Sequence, residues 1–117
     1  MRLRVSICIA AIAAITLSGC KQLPPPTPLD QLNPQQMHGH TVFQAQCARC
    51  HNDRTTQALH GPSLYGLYRK QYLPSGAPAN DERVTATIMR GRNMMPPVGN
   101  SMDSQNIDDL IAYLHTL

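Results

Sequence analysis

The chain has 117 residues, ten Lys and Arg against seven Asp and Glu, no tryptophan, one phenylalanine and four tyrosines. That length holds one small domain, and such domains bury a modest share of their surface, so this aromatic supply is thin for a self-sufficient core. A net charge of +3 without a clustered basic patch gives no footprint for nucleic acid.

Arg2 and Arg4 precede an apolar run from Val5 to Leu17, which ends in Leu17-Ser18-Gly19-Cys20. A basic start, a short apolar segment and a small-residue site describe a secretory signal peptide over residues 1–19. A bilayer span needs roughly 20 apolar residues, so the run is too short to cross comfortably. The charged flank and proline-rich sequel also disfavour a buried N-terminal helix. Leu-Ser-Gly-Cys resembles a bacterial lipobox, which implies cleavage before Cys20 and lipid on it. Cys8 is then discarded. The mature chain would have about 98 residues and, without Arg2 and Arg4, a charge of about +1. The expected location is the bacterial cell envelope, facing the periplasm. Lys21 differs from the aspartate retention signal, which favours the outer membrane over the inner one.

Residues 20–33 carry Pro24, Pro25, Pro26 and Pro28 with few apolar side chains. Such a stretch prefers extended polyproline II, and at ~3.1 Å per residue it would hold a domain ~40 Å from a lipid anchor. It reads as a tether, with the folded domain over residues 34–117. Asn33 is suited to cap a first helix, with Pro34 at its first position and Gln36 as the reciprocal partner of a capping box.

That helix runs toward Cys47-Ala48-Arg49-Cys50-His51, which has the spacing of a c-type haem attachment site. Two thiols three positions apart can each bond one haem vinyl group, and the adjacent histidine can reach the iron. Export also favours disulfides, but a Cys47–Cys50 bridge would close a very small ring and staple little.

Gly61, Pro62, Gly66, Pro74, Gly76 and Pro78 mark long loops. Asn80 caps a second predicted helix, with Asp81 and Glu82 at its positive end, Val84 and Ile88 as its apolar stripe and Gly91 as its stop. Met94 and Met95 follow, then Pro96 and Pro97, so a thioether can be presented on a stiff loop 44 residues beyond His51. Asp103 caps the last helix, with Met102 and Ile107 spaced as a hydrophobic staple. Ile107, Leu110, Ile111 and Leu114 mark its buried face. Asp108 and Asp109 suit its early turns, and His115 its end. No period-two pattern appears, which predicts an all-α fold.

Taken together, these motifs resemble the class I mono-haem c-type cytochromes from about Gln36 to Leu117. The resemblance implies a small cytochrome c fold around one covalently bound haem c. In it Cys47 and Cys50 hold the haem, and His51 ligates the iron. Gly61-Pro62-Ser63-Leu64 lies beneath the ring, with the Pro62 carbonyl bonded to the imidazole and Leu64 packed on the porphyrin. The family places its sulfur ligand directly before the loop proline, which selects Met95; Met94 would then point elsewhere and pack. Gly39 and Phe43 would meet Leu110 and Tyr113. His38, His40 and His115 have ordinary helix positions, and His60 reads as a solvated loop residue. Arg49 reads as an exposed spacer, and solvation is the default for Arg54, Arg69, Arg90 and Arg92.

The implied function is a membrane-anchored one-electron carrier between a redox donor and a redox acceptor, not an enzyme. The alternative is a haem subunit of a dehydrogenase or oxidase complex. Peroxidases of this lineage need two attachment motifs, and a gas binder needs the site that Met95 would fill. A zinc site on Cys47, Cys50, His51 and His60 or a thioredoxin-like centre would leave the Met-Pro loop unexplained. With only Lys21 and Lys70 present, the lysine-ring docking of the mitochondrial members is not implied here.

Overall fold

A computed structural model describes residues 22–117. The predicted signal peptide, Cys8 and the lipidation position Cys20 lie outside the described residues. Three α-helices form the frame: α1 (Pro34–Gln46), α2 (Asp81–Arg90) and α3 (Ser104–Leu114), with 3-10 turns at Leu29–Gln31, Leu67–Arg69 and Val98–Ser101. Among the described residues, extended pairing is limited to two isolated bridges, Tyr72–Pro78 and Arg92–Met95. The fold is all-α.

Each helix starts where its sequence supplies an acceptor for the unpaired first-turn amides. The Asn33 side chain accepts from the Gln36 amide at 2.8 Å, and the Gln36 side chain accepts from the Asn33 amide at 3.0 Å, closing the capping box of α1. Asn80 accepts from Arg83 at 2.9 Å at the start of α2, and Asp103 from Asn106 at 2.8 Å at the start of α3. Helix α2 ends at Gly91, whose φ of 70° is the left-handed region that favours glycine.

Helices α1 and α3 cross closely. A methyl at Gly39 would stand 1.9 Å from the Asp109 carbonyl oxygen and 2.8 Å from Tyr113 Cβ, so no side chain fits there. Phe43, Leu110 and Tyr113 are fully buried at this crossing, and the Phe43 and Tyr113 rings lie 5.8 Å apart. Val42 of α1, Val84 and Ile88 of α2, with Leu67, Leu114 and Leu117, complete the buried cluster. Fully burying a side chain of this kind contributes about 1.5–3 kcal/mol.

The buried face of α3 is rotated from the expected one. Asp109, Leu110, Tyr113 and Leu114 are buried, whereas Ile107 and Ile111 are half-buried. The carboxylate of Asp109 tolerates burial because it accepts from His38 Nδ1 at 2.7 Å and from Gln105 Nε2 at 2.8 Å. The His38 hydrogen bond holds this carboxyl below the usual aspartate range, outweighing the opposing effect of burial.

The proline-rich segment also departs from its expected role as a free tether. Pro26 is buried, the Thr27 amide donates to the Thr116 carbonyl at 2.8 Å, and Arg54 Nη2 donates to the Thr27 carbonyl at 2.7 Å. Polyproline II leaves its carbonyls unpaired, and here side chains of the domain satisfy them. Residues 22–33 therefore form a strap along the domain. Among the described residues, no helix is long and apolar enough to cross a membrane.

Candidate haem site

The last turn of α1 delivers both thiols. The Cys47 and Ala48 amides donate to the Phe43 carbonyl at 2.8 and 3.0 Å, and the Cys50 and His51 amides donate to the Cys47 carbonyl at 3.0 and 2.9 Å. Cys47, Cys50 and His51 thus hang from one hydrogen-bonded turn. Both cysteines are free thiols and half-buried, and Cys47 packs against the core. Burial pushes the Cys47 thiol up to about 11, and the neighbouring Cys50 acts in the same direction.

His51 is oriented by the loop beneath it. Its Nδ1 lies 2.8 Å from the Pro62 carbonyl oxygen. The carbonyl can only accept, so Nδ1 carries the proton and donates. That bond occupies Nδ1, so a metal could be ligated only through Nε2 of the neutral ring. A methyl at Gly61 would stand 2.4 Å from His51 Cε1 and 2.9 Å from its Nε2. Glycine is what lets this backbone lie against the ring. The loop is tied back to the attachment turn: the Gly61 amide donates to Cys50 O at 2.8 Å and the Leu64 amide to Asn52 O at 2.7 Å. Leu64 itself is half-buried against the core.

The second loop separates the two methionines. A methyl at Gly91 would lie 2.4 Å from the Met95 carbonyl oxygen, so the chain folds back tightly on the end of α2. Arg92 and Met95 exchange both backbone hydrogen bonds, at 3.0 and 2.9 Å, leaving Asn93 and Met94 as a two-residue tip. Asn93 has φ 51°, as the first tip residue of such a reversal needs. Met95 is half-buried against the core, whereas Met94 at the tip is 94% exposed. The expectation that Met94 packs is therefore corrected: the tip geometry turns it to solvent. Met102 packs on the core just before the cap of α3.

Leu64, Tyr68, Leu73, Met95, Val98 and Ile111 lie against the buried cluster yet keep exposed surface. These partly buried apolar side chains, a thiol pair on one turn, an imidazole bonded through Nδ1 and a half-buried thioether are a set that fits haem c. Among the described residues no three His, Cys, Asp or Glu side chains group as a metal site, so the four ligands listed for zinc do not converge.

The remaining histidines have structural places. His38 holds Asp109, His40 meets Tyr113 edge-on at 5.1 Å, and His60 is exposed. His115 Nε2 lies 2.7 Å from Asp81 Oδ1 and its ring stacks on Tyr68 at 3.8 Å, tying the end of α3 to the start of α2. Arg49, Arg69, Arg90 and Arg92 are exposed. Arg54 is not; it is half-buried, engaged with the strap. Sequence reasoning also missed the pair formed by Asp53 and Tyr113, whose hydroxyl donates to the carboxylate at 2.5 Å in the interior. Burial, reinforced by Asp53, pushes the Tyr113 phenol up, so it remains a donor. The available signal was an acidic residue two positions past the attachment motif, but its partner lies 60 residues away.

Comparison with known proteins agrees with this architecture. A family model described as cytochrome c oxidase, cbb3-type, subunit III matches residues 34–114. Cytochrome c6 of Pyropia tenera is 26% identical over 77 residues, covering 66% of this chain and 86% of that one. Cytochrome c6 of Tetradesmus obliquus is 27% identical over the same length, covering 66% and 84%. The solved structure of cytochrome c6 from the diatom Phaeodactylum tricornutum superposes with a TM-score of 0.52 at 28% identity, covering 68% of this chain and 88% of that one. The fold and the site define a class I mono-haem c-type cytochrome, an electron carrier with covalently bound haem c and not an enzyme. Within that class, the chain belongs to the family of cytochrome c domains described as cytochrome c oxidase, cbb3-type, subunit III.

Proposed function

We propose that Cys47 and Cys50 would hold the haem through thioether bonds, that His51 Nε2 and Met95 Sδ would ligate its iron, and that Leu64 would pack against it. The haem, when bound, supplies an iron that takes up and releases one electron at a time. The chain does the rest. Pro62 orients the imidazole through Nδ1, Gly61 admits the ring, and the Arg92–Met95 reversal presents one thioether inward. Thioether ligation would favour the reduced iron. The observation that supports this reading most is His51 held between Gly61 and the Pro62 carbonyl, with Nδ1 engaged by that carbonyl.

We also infer that the chain is made as a lipoprotein. Its signal peptide is 1–19, Cys20 carries lipid, residues 20–33 join anchor to domain, and 34–117 is the haem domain. It would face the periplasm from the outer membrane in preference to the inner one and pass electrons between larger redox proteins. Leu17-Ser18-Gly19-Cys20 supports the anchor, and an acylated N-terminal fragment in the membrane fraction would test it by mass.

Two variants test the ligand assignment. Met95→Ala should lose the weak red-edge sulfur-to-iron absorption of the oxidised protein, lower its potential and bind carbon monoxide when reduced. Met94→Ala, at an exposed tip, should do none of these. The reverse result would move the ligand by one residue; no effect from either would return attention to Met102 or His60.

A further inference from the structure

The strap is fixed to the domain almost from its first described residue. Tyr65 Oη lies 3.3 Å from the Leu23 and Pro24 carbonyl oxygens, to either of which it can donate. Leu23 Cδ1 lies where a side chain on Gly66 would stand, at 2.6 Å from that ideal methyl position. Farther on, Arg54 and Thr116 hold Thr27 at 2.7 and 2.8 Å. Where the strap begins, Gln22, Leu23, Thr56, Ser63, Tyr65 and Lys70 border an open recess of about 410 Å³. None of these six is acidic, and Lys70 is exposed.

Resting on the assignment of Cys20 as the lipidated N-terminus, we propose that the domain sits on the bilayer that carries its own lipid, with the face around Leu23, Tyr65 and Lys70 turned to anionic headgroups. Leu23 is the third residue after Cys20, and three residues reach at most about 11 Å. A free polyproline II tether would have allowed ~40 Å. The docked strap therefore sets a short leash, and the leash leaves from the face that holds Lys70. The residues that border the recess carry one cation and no carboxylate, the complement of phosphate-bearing lipids. The domain cannot swing far from the membrane, so its electron partner must present its own site close to the same surface.

The lysines make this testable, because Lys21 and Lys70 are the only two in the chain. Haem-loaded, lipidated protein is bound to vesicles of phosphatidylethanolamine and phosphatidylglycerol, and a membrane-impermeant amine-acylating reagent is added. The rate of Lys70 modification is read by peptide mass. It should be several-fold slower than in a soluble form secreted without Cys20. A Gly-Ser insertion of about ten residues after Lys21, which restores a flexible leash, should return the soluble rate. Equal Lys70 rates in vesicle-bound and soluble protein would overturn the orientation, and protection that survives the insertion would overturn the leash as its cause. Flotation separates the two ideas. Protein that floats with the vesicles while Lys70 stays reactive leaves the anchor standing and sinks the orientation; protein that does not float sinks both.

Discussion

An alanine at Gly61 would drive its methyl into the His51 ring, 2.4 Å from Cε1. Overpacking of that kind costs about 1–3 kcal/mol, and here the ring itself would have to turn. Gly61→Ala should give less haem-loaded protein and a lower denaturation midpoint, whereas Gly76→Ala, with no heavy atom near its methyl position, should load normally although its φ of 81° strains the backbone. Equal haem yield from wild type and Gly61→Ala would remove the packing argument for the His51 ligand. At Tyr113 the argument is polar. Tyr113→Phe removes the donor to Asp53, a carboxylate only 7% exposed, and should cost about 1–3 kcal/mol in urea unfolding. Asp109 supplies a pH test. Its folded-state pKa lies below the unfolded one because His38 bonds it. That contribution is fully present above the ordinary aspartate value of about 3.9 and disappears as pH falls through the lowered native value. His38→Ala should flatten this acid limb of stability, measured by thermal midpoint against pH; an unchanged limb would mean that the pair contributes nothing.

At the level of elements, the helix starts depend on single acceptors. Asp103→Ala should cost about 1 kcal/mol while leaving the haem spectrum unchanged, because the side-chain bond of the cap stays within the first turn of α3, at Asn106. A spectral change would show that α3 transmits its end to the site. These starts were legible because capping chemistry is local: Asn33, Asn80 and Asp103 each bond an amide three residues on. The attachment motif and the Gly61–Leu64 loop were legible for the same reason, as short strings with fixed roles. What sequence could not give was side-chain pairing across long separations. Asp109 looked like a dipole partner on α3 until His38, 71 residues away, explained its burial. The strap looked like a tether because composition reports backbone preference and not which distant donors, here Arg54 and Tyr65, will meet its carbonyls. Met94 was misplaced because the two-residue tip is set by backbone reversal, a feature no hydrophobicity rule sees.

The described residues form a small helical frame whose buried cluster is flanked by partly buried apolar side chains. Helices α1 and α3 lock at Gly39, α2 and the following loop bring Met95 to the core, and the loop after the attachment turn fixes His51. Leu64 and Met95 are half-buried against that cluster, so a covalently held ring packed on them would extend the core as well as carry the electron. Stability and function therefore share one attachment. The most direct measurement is the mass of the denatured, acid-extracted chain after expression in cells competent for cytochrome maturation. The wild-type chain should retain the mass and colour of one haem, and Cys47→Ser with Cys50→Ser should retain neither. A wild-type chain that emerges colourless at its bare polypeptide mass would contradict the account.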